Sequence, residues 1–214
     1  VLVSIMYANN EIGTIQPIGA IGQIARERGI YFHTDASQAI GRISINVNDD
    51  QIDLLSLSGH KVYGPKGIGA LYVRRHKPRV KLAALLDGGG HEQRLRSGTL
   101  PVPLIVGLAR AIMLAREMME IESSRQAVLR DRLMQAILGN LDGVRVNGTM
   151  NPRLPNNLNI AFEKIDGEAM LTAIKDVVSS RVAALLMQLF TGQRVSFASG
   201  GSGGGVLGRL GGAF

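Results

Sequence analysis

Two residues carry the chemistry of carbonyl condensation. Lys61 stands in Ser58-Gly59-His60-Lys61, and Asp35 in Thr34-Asp35-Ala36-Ser37-Gln38, each just beyond an apolar run suited to a buried strand. A lysine amine in such a place can form a Schiff base with an aldehyde. A nearby carboxylate can pair with a protonated pyridine nitrogen, so that the ring absorbs carbanion charge. This pair is what a pyridoxal 5'-phosphate (PLP) site requires. Neither residue defines such a site alone, because an Asp after a strand commonly caps a turn and a loop Lys is commonly solvated. In parallel α/β sheets, however, ligands collect at the carboxyl ends of strands, which favours both positions.

The neighbours of Lys61 add to this reading. Ser58 and His60 put a hydroxyl and an imidazole, both phosphate donors, beside the amine, with Gly59 allowing close approach. A second Gly-rich stretch, Gly88-Gly89-Gly90-His91-Glu92, precedes Arg96-Ser97-Gly98-Thr99. On spacing alone, both glycine groups read equally well as tight turns.

The elements that must position these residues follow from the apolar pattern. Residues 1–8 form a short apolar run suited to a strand; a polar turn and Pro17 follow, then Ile18, Ile21, Ile24 and Ala25 at helical spacing, ended by Gly29. Residues 30–34 read as a second strand, making a strand-helix-strand unit of the kind that builds parallel sheets. Further strands are expected at 53–58 and 69–74, joined by a Gly-rich turn over 63–69. From Pro103 a long helix is expected, with Ile105, Leu108, Ala109, Ile112, Ala115 and Met119 on one face, running with a break or bend to about Ile137. Strands at 143–147 and 157–162 and a helix at 167–176 suggest a second, smaller lobe.

Composition bounds the class. The 214 residues are 45% hydrophobic and 19% charged, within the globular range. The net charge of +7 is scattered among acids, which argues against a nucleic-acid surface. There is no Cys, so disulfides, thiolate metal sites and a thiol nucleophile are excluded for these residues; no metal site is expected. No apolar run approaches the roughly 18 residues of a membrane span, and the start lacks a signal peptide's features, so a cytoplasmic setting is expected. The opening on a strand-like run without Met suggests that the natural N-terminus lies upstream. Beyond Ser180, Gly supplies 9 of 34 residues and three Arg stand with no acid, a composition expected to be disordered.

The strings NNEIG (9–13), TDASQ (34–38), SLSGHKVYGPKGIGALYVRR (56–75), GGGHE (88–92) and RSGTLPV (96–102), in this order and spacing, resemble the cysteine desulfurases that supply sulfur for iron-sulfur cluster assembly. The resemblance is dense over 1–120, looser to Ser180 through PNNLNIAF and GEAML, and ends there. It implies a PLP-dependent transferase of fold type I in partial form. Residues 1–117 would be the C-terminal part of the large, mainly parallel-sheet domain, 118–180 part of the smaller α/β C-terminal domain, and 181–214 a divergent tail.

Carried over position by position, the resemblance makes Lys61 the cofactor-bound lysine and Asp35 the partner of the pyridine nitrogen. Asn10 and Gln38 lie against the cofactor, Gln38 near the ring hydroxyl. Ser58 and His60 bind the phosphate, and Thr99 reaches the phosphate of the other subunit, since the family forms homodimers. The implied reaction converts L-cysteine to L-alanine while a mobile-loop cysteine takes the sulfur as a persulfide for a cluster scaffold or another acceptor. That loop reads close to SSGSAC in the family; this chain matches Ser179-Ser180 and continues Arg181-Val182-Ala183-Ala184. A frameshift after Ser180 would explain the change, and the chain as it stands is expected to be inactive. The family's ring-stacking histidine and a Gly-Ala-Thr phosphate loop would lie upstream, and its substrate-carboxylate arginine further downstream. Two alternatives stand beside this reading: another class V PLP enzyme, such as a selenocysteine lyase or aminotransferase, and a non-catalytic scaffold or heterodimer partner. The motifs GGGHE and RSGT favour the desulfurase.

Overall fold

The structure is a computed structural model that describes residues 1–163 and 169. The elements are β1 (Leu2–Met6), α1 (Ile18–Glu27), β2 (Tyr31–Asp35), β3 (Leu54–Ser58), β4 (Gly69–Val73), the long helix α2 (Val102–Asn140), β5 (Val144–Val146) and β6 (Ile160–Phe162). The described residues fall into two compact units, one of Val1–Asp131 with Asn147–Asn159, the other of Arg132–Val146 with Ile160–Glu163.

In the first unit a sheet of order β1-β2-β3-β4 is parallel through its first three strands and antiparallel at β4. Alternation sorts its faces. Val3, Ile5, Phe32, Leu55, Leu57 and Tyr72 share one cluster with Ile18 and Ala25 of α1, so the apolar stripe read in the sequence is the stripe that packs on the sheet. Gly22 permits that contact: a Cβ on it would lie 2.1 Å from the Asp50 carbonyl oxygen. The helix ends at Gly29, whose φ of +63° is open to glycine, and the Ile30 N–H returns to the Ala25 carbonyl at 2.9 Å. The other face is more open, with Leu2, Tyr31 and Leu71 exposed.

A buried carboxylate ties this sheet together. Asp53, 2% exposed, accepts the Phe32 N–H and an Arg26 Nη2 hydrogen bond, both at 3.0 Å, and lies 3.3 Å from Arg74 Nε. Arg74 is itself buried and donates to the carbonyls of Ile52 and Val47 and to Asn48 Oδ1. The network joins α1, β2 and the ends of β3 and β4.

Helix α2 runs unbroken through Val102–Asn140, without the expected break. In its first-unit portion the Leu108 side chain is buried, Gly107 stands close to Pro65 and Gly41 close to Ala115, and Ser123 Oγ donates to the Arg42 carbonyl at 2.7 Å. Ala109, expected on the packed face, is exposed. In the second unit β5 and β6 form an antiparallel pair, each shorter than expected. The expected helix at 167–176 and the tail over 181–214 lie outside the described residues.

Candidate functional site

The three parallel strands end on one edge of the sheet, β1 at Met6, β2 at Asp35 and β3 at Ser58. A cavity of about 300 Å³ opens there, lined by Met6, Ala8, Asn10, Asp35, Ser37, Gln38, Ser58 and Lys61. Residues distant in sequence are therefore gathered by one topological fact, the common direction of β1, β2 and β3. Asn10, Asp35, Gln38, Ser58 and Lys61, all singled out in the sequence, share this wall.

Each is held by local geometry. Asp35 closes β2, and its Oδ1 accepts the Ser37 N–H at 2.9 Å, which tightens the turn toward Gln38. Lys61 sits in a single 3-10 turn, Gly59–Val62, directly after β3. Gly59 is required in that turn because a Cβ would meet the Pro65 carbonyl oxygen at 2.9 Å and the Ile68 side chain at 2.8 Å. Ser58 Oγ and His60 Nδ1 lie 2.9 Å apart, so the imidazole is hydrogen-bonded to a wall residue although His60 is not itself part of the wall. Asn10 follows Asn9, whose Oδ1 accepts the N–H groups of Glu11 and Ile12, both at 2.9 Å.

Thr99 does not line the cavity. It is exposed, one residue after Gly98, whose N–H donates to His91 Nδ1 at 3.3 Å. Three lining residues were not anticipated. Met6 and Ala8 alternate with Asn10 along the end of β1, and period-two spacing back from Asn10 could have found them; Ser37 lies inside the TDASQ string. A polar row on the same sheet face was also missed. Ser4 Oγ lies 2.7 Å from His33 Nδ1, and His33 Nε2 lies 3.2 Å from Ser56 Oγ, linking β1, β2 and β3 beside Asp35. Beneath the opposite face, the fully buried Thr34 hydroxyl has no partner among the described residues.

The lining set suits one kind of ligand: an amine and a carboxylate for an aldehyde-bearing nitrogen heterocycle, amides for its ring substituents, and a hydroxyl, backed by the His60 imidazole outside the wall, for an anion. A mainly parallel sheet with this set at its carboxyl edge defines a partial PLP-type transferase fold. The chain belongs to the aminotransferase class-V family, whose model matches residues 1–195, further than Ser180, where the motif resemblance ends. Within it the chain stands with the cysteine desulfurases. It is 54% identical over 184 residues to cysteine desulfurase IscS of Histophilus somni, covering 86% of this chain and 45% of that protein. The solved structure of a NifS-like protein superposes with a TM-score of 0.76 at 37% identity over 82% of this chain and 47% of that one. DndA from Streptomyces lividans gives 0.73 at 40% identity over 86% and 52%. The chain thus spans about half the length of the curated relatives it matches. Members of this family use pyridoxal phosphate. Among the described residues, no helix is long and apolar enough to cross a membrane.

Proposed function

We propose that this chain is the cofactor-holding portion of a PLP-dependent cysteine desulfurase, acting on L-cysteine in iron-sulfur cluster assembly. One observation carries the reading: Lys61, Asp35, Gln38, Asn10 and Ser58 converge on a single cavity at the carboxyl ends of three parallel strands. When bound, the cofactor supplies an aldehyde carbon and an electron-accepting ring. Lys61 Nζ is the amine that would hold the cofactor at that carbon and would move protons at the substrate's α-position. Asp35 holds a proton on the ring nitrogen, Gln38 donates to the ring hydroxyl, and Asn10 packs against the ring's edge. Ser58 and His60 bind the phosphate, and Thr99, exposed away from this cavity, serves the phosphate of a second copy in a homodimer.

The full reaction turns L-cysteine into L-alanine: the carbon–sulfur bond breaks, sulfur passes to a thiolate as a persulfide, and the substrate carbon gains a proton. It needs a thiol, and the 214 residues contain no Cys. The chain therefore provides the cradle and leaves the sulfur acceptor to be supplied. We assign it the family's cytoplasmic setting and sulfur-acceptor partners as part of the same reading.

The test is to mix the chain with PLP, record the visible spectrum, reduce with borohydride and map the modified peptide, with Lys61→Ala as control. A visible band distinct from free cofactor, with the label on Lys61, is expected. No band, or label spread over other lysines and unchanged in Lys61→Ala, overturns the reading.

A further inference from the structure

The loop that carries Asn10 is held from outside by a segment far away in sequence. Its inner side is fixed by Asn9, whose side chain takes the amides of Glu11 and Ile12. The carbonyls of Glu11, Ile12 and Gly13 all accept hydrogen bonds from residues of 147–159. Arg153 Nη2 donates to the Ile12 carbonyl at 2.6 Å, and the Leu154 N–H to Gly13 at 2.8 Å. Asn157 Nδ2 and Asn159 Nδ2 donate to Glu11 at 2.9 and 3.2 Å. The Ile15 N–H returns a bond to the Pro152 carbonyl at 3.4 Å.

The central donor is costly to place there. Arg153 is 6% exposed and has no carboxylate within ion-pair distance among the described residues; its guanidinium is met by the carbonyls of Ile12 and Asn147, the Met150 sulfur and Asn157 Oδ1. A buried cation compensated only by dipoles persists where those bonds are strong and fixed. The segment is anchored independently: Leu154 is 2% exposed in the sheet's core cluster, and its carbonyl accepts Arg130 Nη1 at 3.1 Å. Gly13, at φ +69°, permits the close approach, since a Cβ on it would stand 2.4 Å from Asn157 Oδ1.

We infer that Arg153, assisted by Asn157, is a positioning residue that sets where Asn10 stands in the cavity wall. The inference rests on the cofactor reading above for what Asn10 touches, and on the hydrogen bonds alone for the clamp.

Two measurements test it on the whole chain. Hydrogen exchange without cofactor is compared among wild type, Arg153→Ala and the milder Asn157→Ala. Faster exchange at Ile12, Gly13 and Ile15 with β2 and β3 unchanged is expected; no change, or equal loss across the sheet, overturns the clamp. PLP titrations of Arg153→Ala, Asn10→Ala and the double variant follow. Each single variant should weaken binding about tenfold, and the double no further, because one acts through the other. Multiplying losses overturn the route through Asn10. A wild-type chain that takes up no PLP defeats the cofactor reading, while the exchange data still decide the clamp.

Discussion

Ser58 Oγ and His60 Nδ1 stand 2.9 Å apart across the start of the turn that carries Lys61, so hydroxyl and imidazole form one donor unit at the end of β3. A phosphate there gains charge-assisted hydrogen bonds of roughly 1.5–3 kcal/mol each. Ser58→Ala should therefore weaken PLP binding at least about tenfold and leave the binding of pyridoxal, which lacks the phosphate, nearly unchanged. Parallel titrations of both compounds check this. Equal losses for the two would place Ser58 against the ring instead.

Asp35 should separate binding from chemistry. Asparagine keeps an oxygen for the Ser37 N–H, so the turn toward Gln38 survives, but it removes the charge that, on the proposed reading, would hold a proton on the ring nitrogen. In Asp35→Asn, PLP should bind within a few-fold of wild type while exchange of the α-proton of L-alanine slows by about a hundredfold, the scale of losing one preorganised electrostatic contact. Proton NMR in deuterated buffer, with the bound cofactor fraction measured separately, gives both values.

The cavity wall was legible because its chemistry sits in short strings next to strand ends. Lys61 and Asp35 each follow a recognisable apolar run, and a shared strand direction brings them together. Asp53, Arg74 and Arg153 were not legible. Asp53 and Arg74 find their partners more than 20 positions away, such as Phe32 for Asp53, and Arg153 adds to its near neighbours the Ile12 carbonyl 141 positions away; no local period encodes such a pairing. The strand at β4 was found, but its reversal relative to β3 was not. A break or bend was expected in α2, but a helix needs only continuous backbone bonding, and the mostly good helix formers over 102–140 provide that.

Asp53 is the first unit's most exposed weakness in energetic terms. Its carboxylate faces two arginines and a strand amide while almost fully buried, so Asp53→Ala strands Arg74, which is 8% exposed, without a counter-charge. Breaking one side of such a pair costs about 3–5 kcal/mol. Urea unfolding followed by circular dichroism should show that loss for Asp53→Ala and a smaller one for Arg26→Ala, since the Arg26 side chain is 30% exposed and water can replace part of its contact.

Two helical glycines should respond to the same substitution with opposite sign. In a helix, alanine is favoured over glycine by about 1 kcal/mol, mostly because the unfolded chain then has less freedom to lose. Gly139, in α2, has no neighbouring atom of the described residues within 4 Å of the Cβ it would gain, so Gly139→Ala should stabilise by up to that amount. Gly22, in α1, has the Asp50 carbonyl oxygen 2.1 Å from the corresponding point, and Asp50 also accepts the Tyr7 hydroxyl at 3.0 Å. Backbone cannot yield as a flexible side chain does. Gly22→Ala must therefore push α1 off β1 and β2 or displace the 46–52 loop, at a net cost of about 1–3 kcal/mol. Tyr7 reports which occurs. Burial and its bond to Asp50 hold its phenol well above the usual tyrosine range. Displacing the loop breaks that bond and brings the phenol's ionisation down into the range reached by ultraviolet titration, whereas a shifted helix with the loop in place leaves it high.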